Sequence, residues 1–282
     1  VADHEGEHVA AHGHYQASFE LLEKSGTDRE LALAYYVRSR SKYYLGELEE
    51  ARVLCTKATE RYRALDDDFG AARCSDVMAK VYRADGDFEK AELVTEAARA
   101  DFEKLGYRDW EALAWTTLGE IKRLSDRLDE ADACYDESIS LWDEIGSQKV
   151  FYPRLNQAYV LLKRREFEDA RQRFQGLMEI AESWGLGWTL PGLHLGLLGC
   201  AAGIRDWASY DRHIAAASTL LGEQGSALDE YAQLYEYAGD LAGEDDQQKR
   251  QKQAYLLAAA QWAIMNYDKR AKEVELKFPK GV

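Results

Sequence analysis

Gly86-Asp87-Phe88-Glu89-Lys90-Ala91 is the stretch that decides the fold, because similar hexapeptides recur along the chain. This stretch combines a Gly, an apolar residue two positions later, and acidic residues ahead of an Ala; in the other clear copies a polar residue can replace the Gly. This order predicts that one helix ends, the chain turns, and a second helix begins with carboxylates beside its free N–H groups. The other copies are Gly46–Ala51, Asp126–Ala131, Arg165–Ala170 and a weaker one at Arg205–Tyr210.

The copies stand 39 or 40 residues apart, and self-similarity at such an interval is typical of stacked helical hairpins. Only 3 prolines in 282 residues also favour helix over sheet. We therefore predict an all-α array over residues 1–282. Its predicted parts are a half repeat or N-terminal cap at 1–26, hairpin units at 28–68, 70–108, 110–148, 150–188, 191–226 and 228–265, and a capping helix at 267–277.

The N-terminal segment matches only the second half of a unit, since Gly6-Glu7 falls in register with Gly46-Glu47. The chain also begins at Val1 without an initiator Met. A chain that begins at Val1 would result if the initiator Met had been removed, or if the sequence is a segment of a longer protein. The half repeat favours the longer protein, although an N-terminal capping helix would have a similar sequence.

The composition predicts a cytoplasmic protein. No run approaches 18 apolar residues, and the charged start does not fit a secretory signal, so we expect no membrane partner. The net charge of −15 disfavours non-specific attraction to nucleic acid. The cysteines lack any Cys-x-x-Cys spacing, which indicates reduced and mostly buried thiols at Cys55, Cys74, Cys134 and Cys200.

Residues that could carry chemistry are few. His4, His8 and His12 would share one face of a helix and could bind Zn²⁺ or Ni²⁺, but neither a Cys nor a clear second shell accompanies them, so a solvated chain end is the expected explanation. His194 and His213 are isolated in sequence, so a structural role is expected for both. The chain has no phosphate-binding loop, nucleophile elbow or His-Glu-x-x-His motif. We therefore predict no enzyme activity, no metal and no cofactor.

The fifth unit is unusual because its first helix contains several glycines. Gly192, Gly196 and Gly199 lower helix propensity by about 1 kcal/mol each relative to Ala. Small residues at this spacing permit either close contact with neighbouring helices or a local bend. The sequence alone leaves both interpretations open.

The third unit contains Trp115-Thr116-Thr117-Leu118-Gly119, followed by Ala131 and Ile139 beyond the corner. This pattern resembles the tetratricopeptide repeat (TPR) family, and the resemblance covers about 200 residues. It implies a right-handed superhelical solenoid of antiparallel helix hairpins, with Gly119 and Ala131 letting the two helices approach closely. The units are longer than the family's usual 34 residues, and Lys122 stands where a Tyr is common. The longer unit resembles the arrays of bacterial maltose-regulator-like signalling ATPases.

The TPR resemblance also implies a binding site, because the first helix of each hairpin lines the concave face in that family. The four clearest first helices carry a total charge of +7, whereas their second helices carry −13. Cations beside aromatic rings suit an extended acidic peptide. The groove residues implied by the resemblance are Tyr36, Arg40, Tyr43, Lys80, Arg83, Glu120, Arg123, Tyr152, Asn156 and Tyr159.

We therefore predict a non-catalytic scaffold that binds a peptide segment or partner helix in its groove. One alternative is a merely solvated face, with some of the tyrosines packing between repeats. Another is a sensor region of a larger bacterial signalling or transcription-regulating ATPase or kinase, binding a small effector or a partner. The sequence does not identify the partner or the oligomeric state.

Overall fold

A computed structural model describes Leu22 and residues 26–224, 228–265 and 267–278, and its regular elements in these ranges are all helical. Two short 3-10 turns, Gln148–Val150 and Gly187–Thr189, lie between hairpins. From residue 28 onward the α-helices are α1 (Asp28–Tyr44), α2 (Leu48–Ala64), α3 (Asp68–Ala84), α4 (Phe88–Leu105), α5 (Arg108–Leu124), α6 (Leu128–Ile145), α7 (Phe151–Lys163), α8 (Phe167–Trp184), α9 (Leu190–Gly203), α10 (Trp207–Gln224), α11 (Asp229–Glu244), α12 (Gln248–Ile264) and α13 (Asp268–Glu275).

The chain divides into two compact units, Val1–Pro153 and Arg154–Val282. In the first unit α1 packs on α2, α3 on α4 and α5 on α6, and these hairpins stack through α2–α3 and α4–α5 contacts. In the second unit α9 packs on α8 and α10, α11 on α12, and α12 on α13. The predicted all-α array of helix hairpins is confirmed.

The recurring hexapeptides mark the corners of the hairpins. The first residue of each copy has a positive φ, from 62° at Arg205 to 77° at Gly86. At that corner the N–H of Gly86 donates to Arg83 O at 3.0 Å, and the N–H of Asp87 donates to Tyr82 O at 2.8 Å. These two bonds satisfy the last carbonyls of the first helix. The same pair of bonds closes the corners at Gly46, Asp126, Arg165, Arg205 and Asp246.

The apolar residue of each hexapeptide is the first residue of the second helix, as at Leu48, Phe88 and Leu128. Carboxylates follow it in the first turn, where the unpaired N–H groups of a helix favour negative charge. At Asp87 the side chain itself accepts the N–H of Lys90 at 3.1 Å. The hexapeptide therefore encodes both the end of one helix and the start of the next.

Gly86→Ala is expected to lower the free energy of unfolding by about 1–2 kcal/mol, because a Cβ disfavours the left-handed region. A Cβ at this position meets no other atom within 4 Å, so the loss would come from the backbone alone. Gly86→Asn is the matched control, since Asn tolerates this region better. Urea unfolding of both variants measures the difference. Equal losses for Ala and Asn would contradict the backbone explanation.

Gly119 brings α5 and α6 together, as expected from the sequence. A Cβ at Gly119 would overlap the ring of Tyr135, which is fully buried. Gly239 has the same relationship to Tyr255 in the last hairpin. A glycine on the first helix therefore receives an aromatic ring from the second.

Lys122, which replaces the more usual Tyr, connects adjacent hairpins by charge. Its ammonium lies 2.8 Å from Glu92 on α4 and 3.1 Å from Glu130 on α6. Arg127 also binds both carboxylates. Burial acts to lower the pKa of Lys122, but its bonds to Glu92 and Glu130 outweigh burial and raise it. The lysine therefore remains charged and joins α4, α5 and α6.

The glycines of α9 permit close contact with neighbouring helices, which decides between the two interpretations left open by the sequence. A Cβ at Gly196 would overlap the ring of Phe174 on α8. A Cβ at Gly192 would lie 2.9 Å from Tyr159 Oη on α7 and 3.3 Å from Tyr231 on α11. As a result α7 and α11 approach each other beside α9, and Tyr237 Oη donates to Leu162 O at 3.0 Å.

Gly196→Ala is expected to destabilise the protein by about 1–3 kcal/mol, because the added Cβ would force the fully buried Phe174 ring to shift. Gly176→Ala on α8 is the control, since Gly176 is exposed and its Cβ would meet no atom within 4 Å. The free energy of unfolding of that variant should rise by about 0.5–1 kcal/mol from helix propensity alone. Denaturant unfolding of the two variants tests the opposite signs, and a stabilised Gly196→Ala protein would disprove the packing account.

Candidate functional site

Most of the predicted groove residues occupy one of two equivalent positions on successive first helices. Counted back from the left-handed corner residue, the sixth position holds Arg40, Lys80 and Glu120 on α1, α3 and α5. The third position holds Tyr43, Arg83 and Arg123 on the same helices. Because these helices are stacked in the same orientation, the two positions form rows across the first unit.

Side chains of α1 and α3 meet in a group that we call the α1–α3 cluster, defined as Tyr36, Arg40, Arg73, Asp76 and Lys80. The guanidinium carbon of Arg73 lies 4.4 Å from the centre of the Tyr36 ring, and that of Arg40 lies 5.9 Å from it. Lys80 Nζ lies 3.2 Å from Asp76 Oδ2. Three cations, one carboxylate and an aromatic ring therefore share one surface region.

The pKa values reflect how closely these groups lie. Burial raises the pKa of Tyr36 to about 12, with a further contribution from Asp76, while Arg40, Arg73 and Lys80 oppose the shift. Burial acts to lower the pKa of Lys80, but the neighbouring Asp76 carboxylate and nearby tyrosines raise it overall. At neutral pH the phenol is therefore neutral and the ammonium is charged.

Two further predicted residues, Arg83 on α3 and Glu120 on α5, bind each other. Arg83 Nη1 lies 2.6 Å from Glu120 Oε2. Both side chains are partly covered, so this charge-assisted bond is stronger than an exposed pair. A ligand carboxylate that binds Arg83 would have to compete with Glu120.

The remaining predicted residues differ in exposure. Tyr152 is 43% exposed, whereas Asn156 and Tyr159 are buried. Tyr159 is only 2% exposed, and its hydroxyl donates to Gly192 O at 3.2 Å. Its ring centre lies 5.3 Å from that of Phe174. The Tyr159 side chain on α7 therefore packs against α8 and α9, and its ring is not on the surface.

The sequence interpretation did not select Arg73 and Asp76. Asp76 lies 40 residues after Tyr36, in the same position relative to its corner, so the repeat register could have revealed it. Arg73 is not in either row. Its guanidinium lies 5.5 Å from the ring centre of Phe69, four residues earlier on α3, and 6.0 Å from that of Trp110 on α5. The contacts with Tyr36 and Trp110 depend on the stacking of α1, α3 and α5.

The histidines of the second unit form a pair. Nδ1 of His194 on α9 lies 2.9 Å from Nδ1 of His213 on α10, so one imidazole donates and the other accepts. Burial lowers the pKa of His194. Burial, with His194 and Arg212, lowers the pKa of His213 to about 4. Both rings are therefore neutral at pH 7, which fits the structural role expected for them.

The His194–His213 pair should make the free energy of unfolding depend on pH. The folded-state pKa of His213 is depressed below its unfolded value, so its contribution is fully present above about pH 6.5 and is lost as the pH falls towards 4. An NMR titration should find its ring neutral at pH 5. His213→Gln should reduce the fall in unfolding free energy between pH 6.5 and 5, and an unchanged fall would rule out this assignment.

The described residues contain no group of three or more His, Cys, Asp or Glu side chains suited to a metal ion. His4, His8, His12 and His14 lie outside the described residues. The four cysteines are buried and form no disulfide, in agreement with the sequence interpretation. Among the helices described, none is both long and apolar enough to cross a membrane.

No protein-family model matches this sequence, and no curated protein matches it either. Solved structures do match the fold. A Rap protein complexed with competence and sporulation factor has a TM-score of 0.76 at 15% identity, over 96% of this chain and 72% of that one. The Rap conjugation gene regulator of plasmid pLS20, in complex with the Phr* peptide, has a TM-score of 0.70 at 15% identity, over 95% and 72%.

A putative kinesin light chain from Podosopora anserina with TPR-like repeats has a TM-score of 0.53 at 11% identity. The match covers 70% of this chain and 97% of that one. Identities this low show a shared fold alone. The fold is therefore a TPR-like array of helix hairpins, as the sequence resemblance implied.

Proposed function

We propose that this protein is a non-catalytic scaffold that binds an acidic segment of a partner protein. The segment lies on α1, α3 and α5, which are the first helices of the first three hairpins. The observation that carries the proposal is the α1–α3 cluster, which concentrates three cations beside an aromatic ring. Guanidinium and ammonium groups bind carboxylates and phosphates. The half-buried Tyr43 ring can supply contact area, whereas the Tyr36 ring is only 5% exposed. Tyr43, Arg83, Glu120 and Arg123 extend this proposed surface along the rows.

The charge distribution supports an acidic ligand. The whole chain carries −15, yet the α1–α3 cluster brings three cations and one carboxylate together. A local basic region attracts an acidic segment during encounter, while the acidic remainder of the protein repels that segment. Together the two effects orient the segment towards the basic region. Lys80 is already paired with Asp76, and Arg83 with Glu120. An acidic group of the ligand must therefore bind these cations at least as favourably as the two internal carboxylates do.

The structural neighbours support a peptide as the ligand. Two proteins of this fold, the Rap protein with competence and sporulation factor and the pLS20 regulator with Phr*, were each solved in a complex with a bound factor or peptide. The second is a gene regulator, which favours our second candidate function. In that case the chain would be the sensor region of a larger bacterial signalling ATPase or kinase, and binding would bias an attached domain.

Arg40→Glu/Lys80→Glu is the variant that tests the proposed surface. We expect 12-residue library peptides selected on the wild-type protein to be rich in Asp and Glu, and the variant to bind them at least roughly tenfold more weakly, because two attractive contacts become repulsive. Fluorescence anisotropy at two salt concentrations measures this loss. Affinity for the wild type should also fall as salt rises.

The matched control is Arg63→Glu/Lys104→Glu, which changes the net charge equally on exposed positions of the second helices α2 and α4. This control should retain wild-type affinity. Selected peptides without acidic enrichment, or equal binding by both double variants when circular dichroism shows them folded, would refute the proposed surface.

A further inference from the structure

The last hairpin contains a carboxylate that is nearly inaccessible to solvent. The side chain of Glu236 on α11 is 6% exposed, and its Oε1 accepts the indole N–H of Trp262 at 2.8 Å. Two cations of the C-terminal segment also bind it. Arg270 Nη2 lies 3.0 Å from Oε2, and Lys277 Nζ lies 3.1 Å from the same oxygen.

Asp240 lies one turn further along α11 and belongs to the same site. Its Oδ1 accepts the hydroxyl of Tyr255 at 2.6 Å and lies 3.6 Å from Lys277 Nζ. Counted back from the corner at Asp246, Glu236 is the tenth residue and Asp240 the sixth. On α1 the same positions hold Tyr36 and Arg40, so the last hairpin presents carboxylates on the face where the first presents a ring and a cation.

The segment that occupies these carboxylates is held by two cations and two buried apolar side chains. Helix α13 is 8 residues long, and its buried apolar side chains are Ala271 and Val274. Leu276, just beyond it, is 87% exposed. Arg270, Val274 and Lys277 follow the i, i+4, i+7 spacing of a single helical face. Lys277 lies in the turn just after the helix, and a basic segment with this spacing offers the same two cations and aliphatic side chain.

We propose that Glu236 and Asp240 form a recognition site for a basic helical segment of a partner protein, and that α13 occupies this site in cis. The partner segment carries Arg and Lys seven residues apart, with an aliphatic side chain between them. It displaces α13 by exchanging one set of cations for another, so the buried carboxylate is never left unpaired. This site is separate from the surface proposed for α1, α3 and α5.

The test uses the full chain with Arg270→Gln/Lys277→Gln, which weakens the cis contact but keeps Glu236. The probe is a fluorescein-labelled peptide with the sequence of residues 265–278. We expect this peptide to bind the double variant at least roughly tenfold more tightly than it binds the wild type, whose site is occupied. A scrambled peptide of the same composition should not bind.

Adding Glu236→Gln to the double variant should abolish peptide binding, whereas adding Glu223→Gln, an exposed carboxylate on α10, should leave it unchanged. Val274→Ser is a second way to loosen α13, and it keeps both cations available for comparison. Folding of each variant is checked by circular dichroism. If neither loosened protein binds the peptide, or if binding persists without the Glu236 carboxylate, α13 is only a structural cap and the proposal fails.

Discussion

At the end of each first helix from α1 to α11, one residue with positive φ turns the chain so that the next helix packs back on the last. Two backbone hydrogen bonds close the corner, and the apolar residue that follows starts the second helix. Every contact between paired helices depends on this geometry, including that of Gly119 with the Tyr135 ring. The corner tolerates Gly, Asp or Arg because left-handed backbone costs a non-glycine residue only about 1–2 kcal/mol.

Charge has two different roles in this array. On the second helices, carboxylates stabilise helix starts and join hairpins, as where Lys122 binds Glu92 and Glu130. On the first helices, three cations of α1 and α3 lie with Asp76 around Tyr36. This concentration of cations beside one ring is what distinguishes the candidate recognition surface from ordinary helix pairing.

The corners and helix order could be predicted from the sequence because both depend on residues close together in the chain. The candidate site could be predicted only in part. The repeat register aligns Arg40 with Lys80 and Tyr43 with Arg83, but it does not show that Arg83 binds Glu120 or that Arg73 covers Tyr36. Those contacts depend on side-chain directions across stacked helices. Tyr159 fits the register equally well, yet the glycines of α9 bring that helix close enough to bury it.

The glycine-rich helix α9 also limits whether another hairpin could be inserted into the second unit. Arrays of repeats usually tolerate duplication of a hairpin, because each unit contacts only its immediate neighbours. Here Tyr237 on α11 bonds Leu162 on α7, and Glu244 pairs with Arg165, so partners two hairpins apart hold each other directly. An extra copy of α9 and α10 would separate both pairs. The second unit therefore could not gain another such hairpin without losing both contacts.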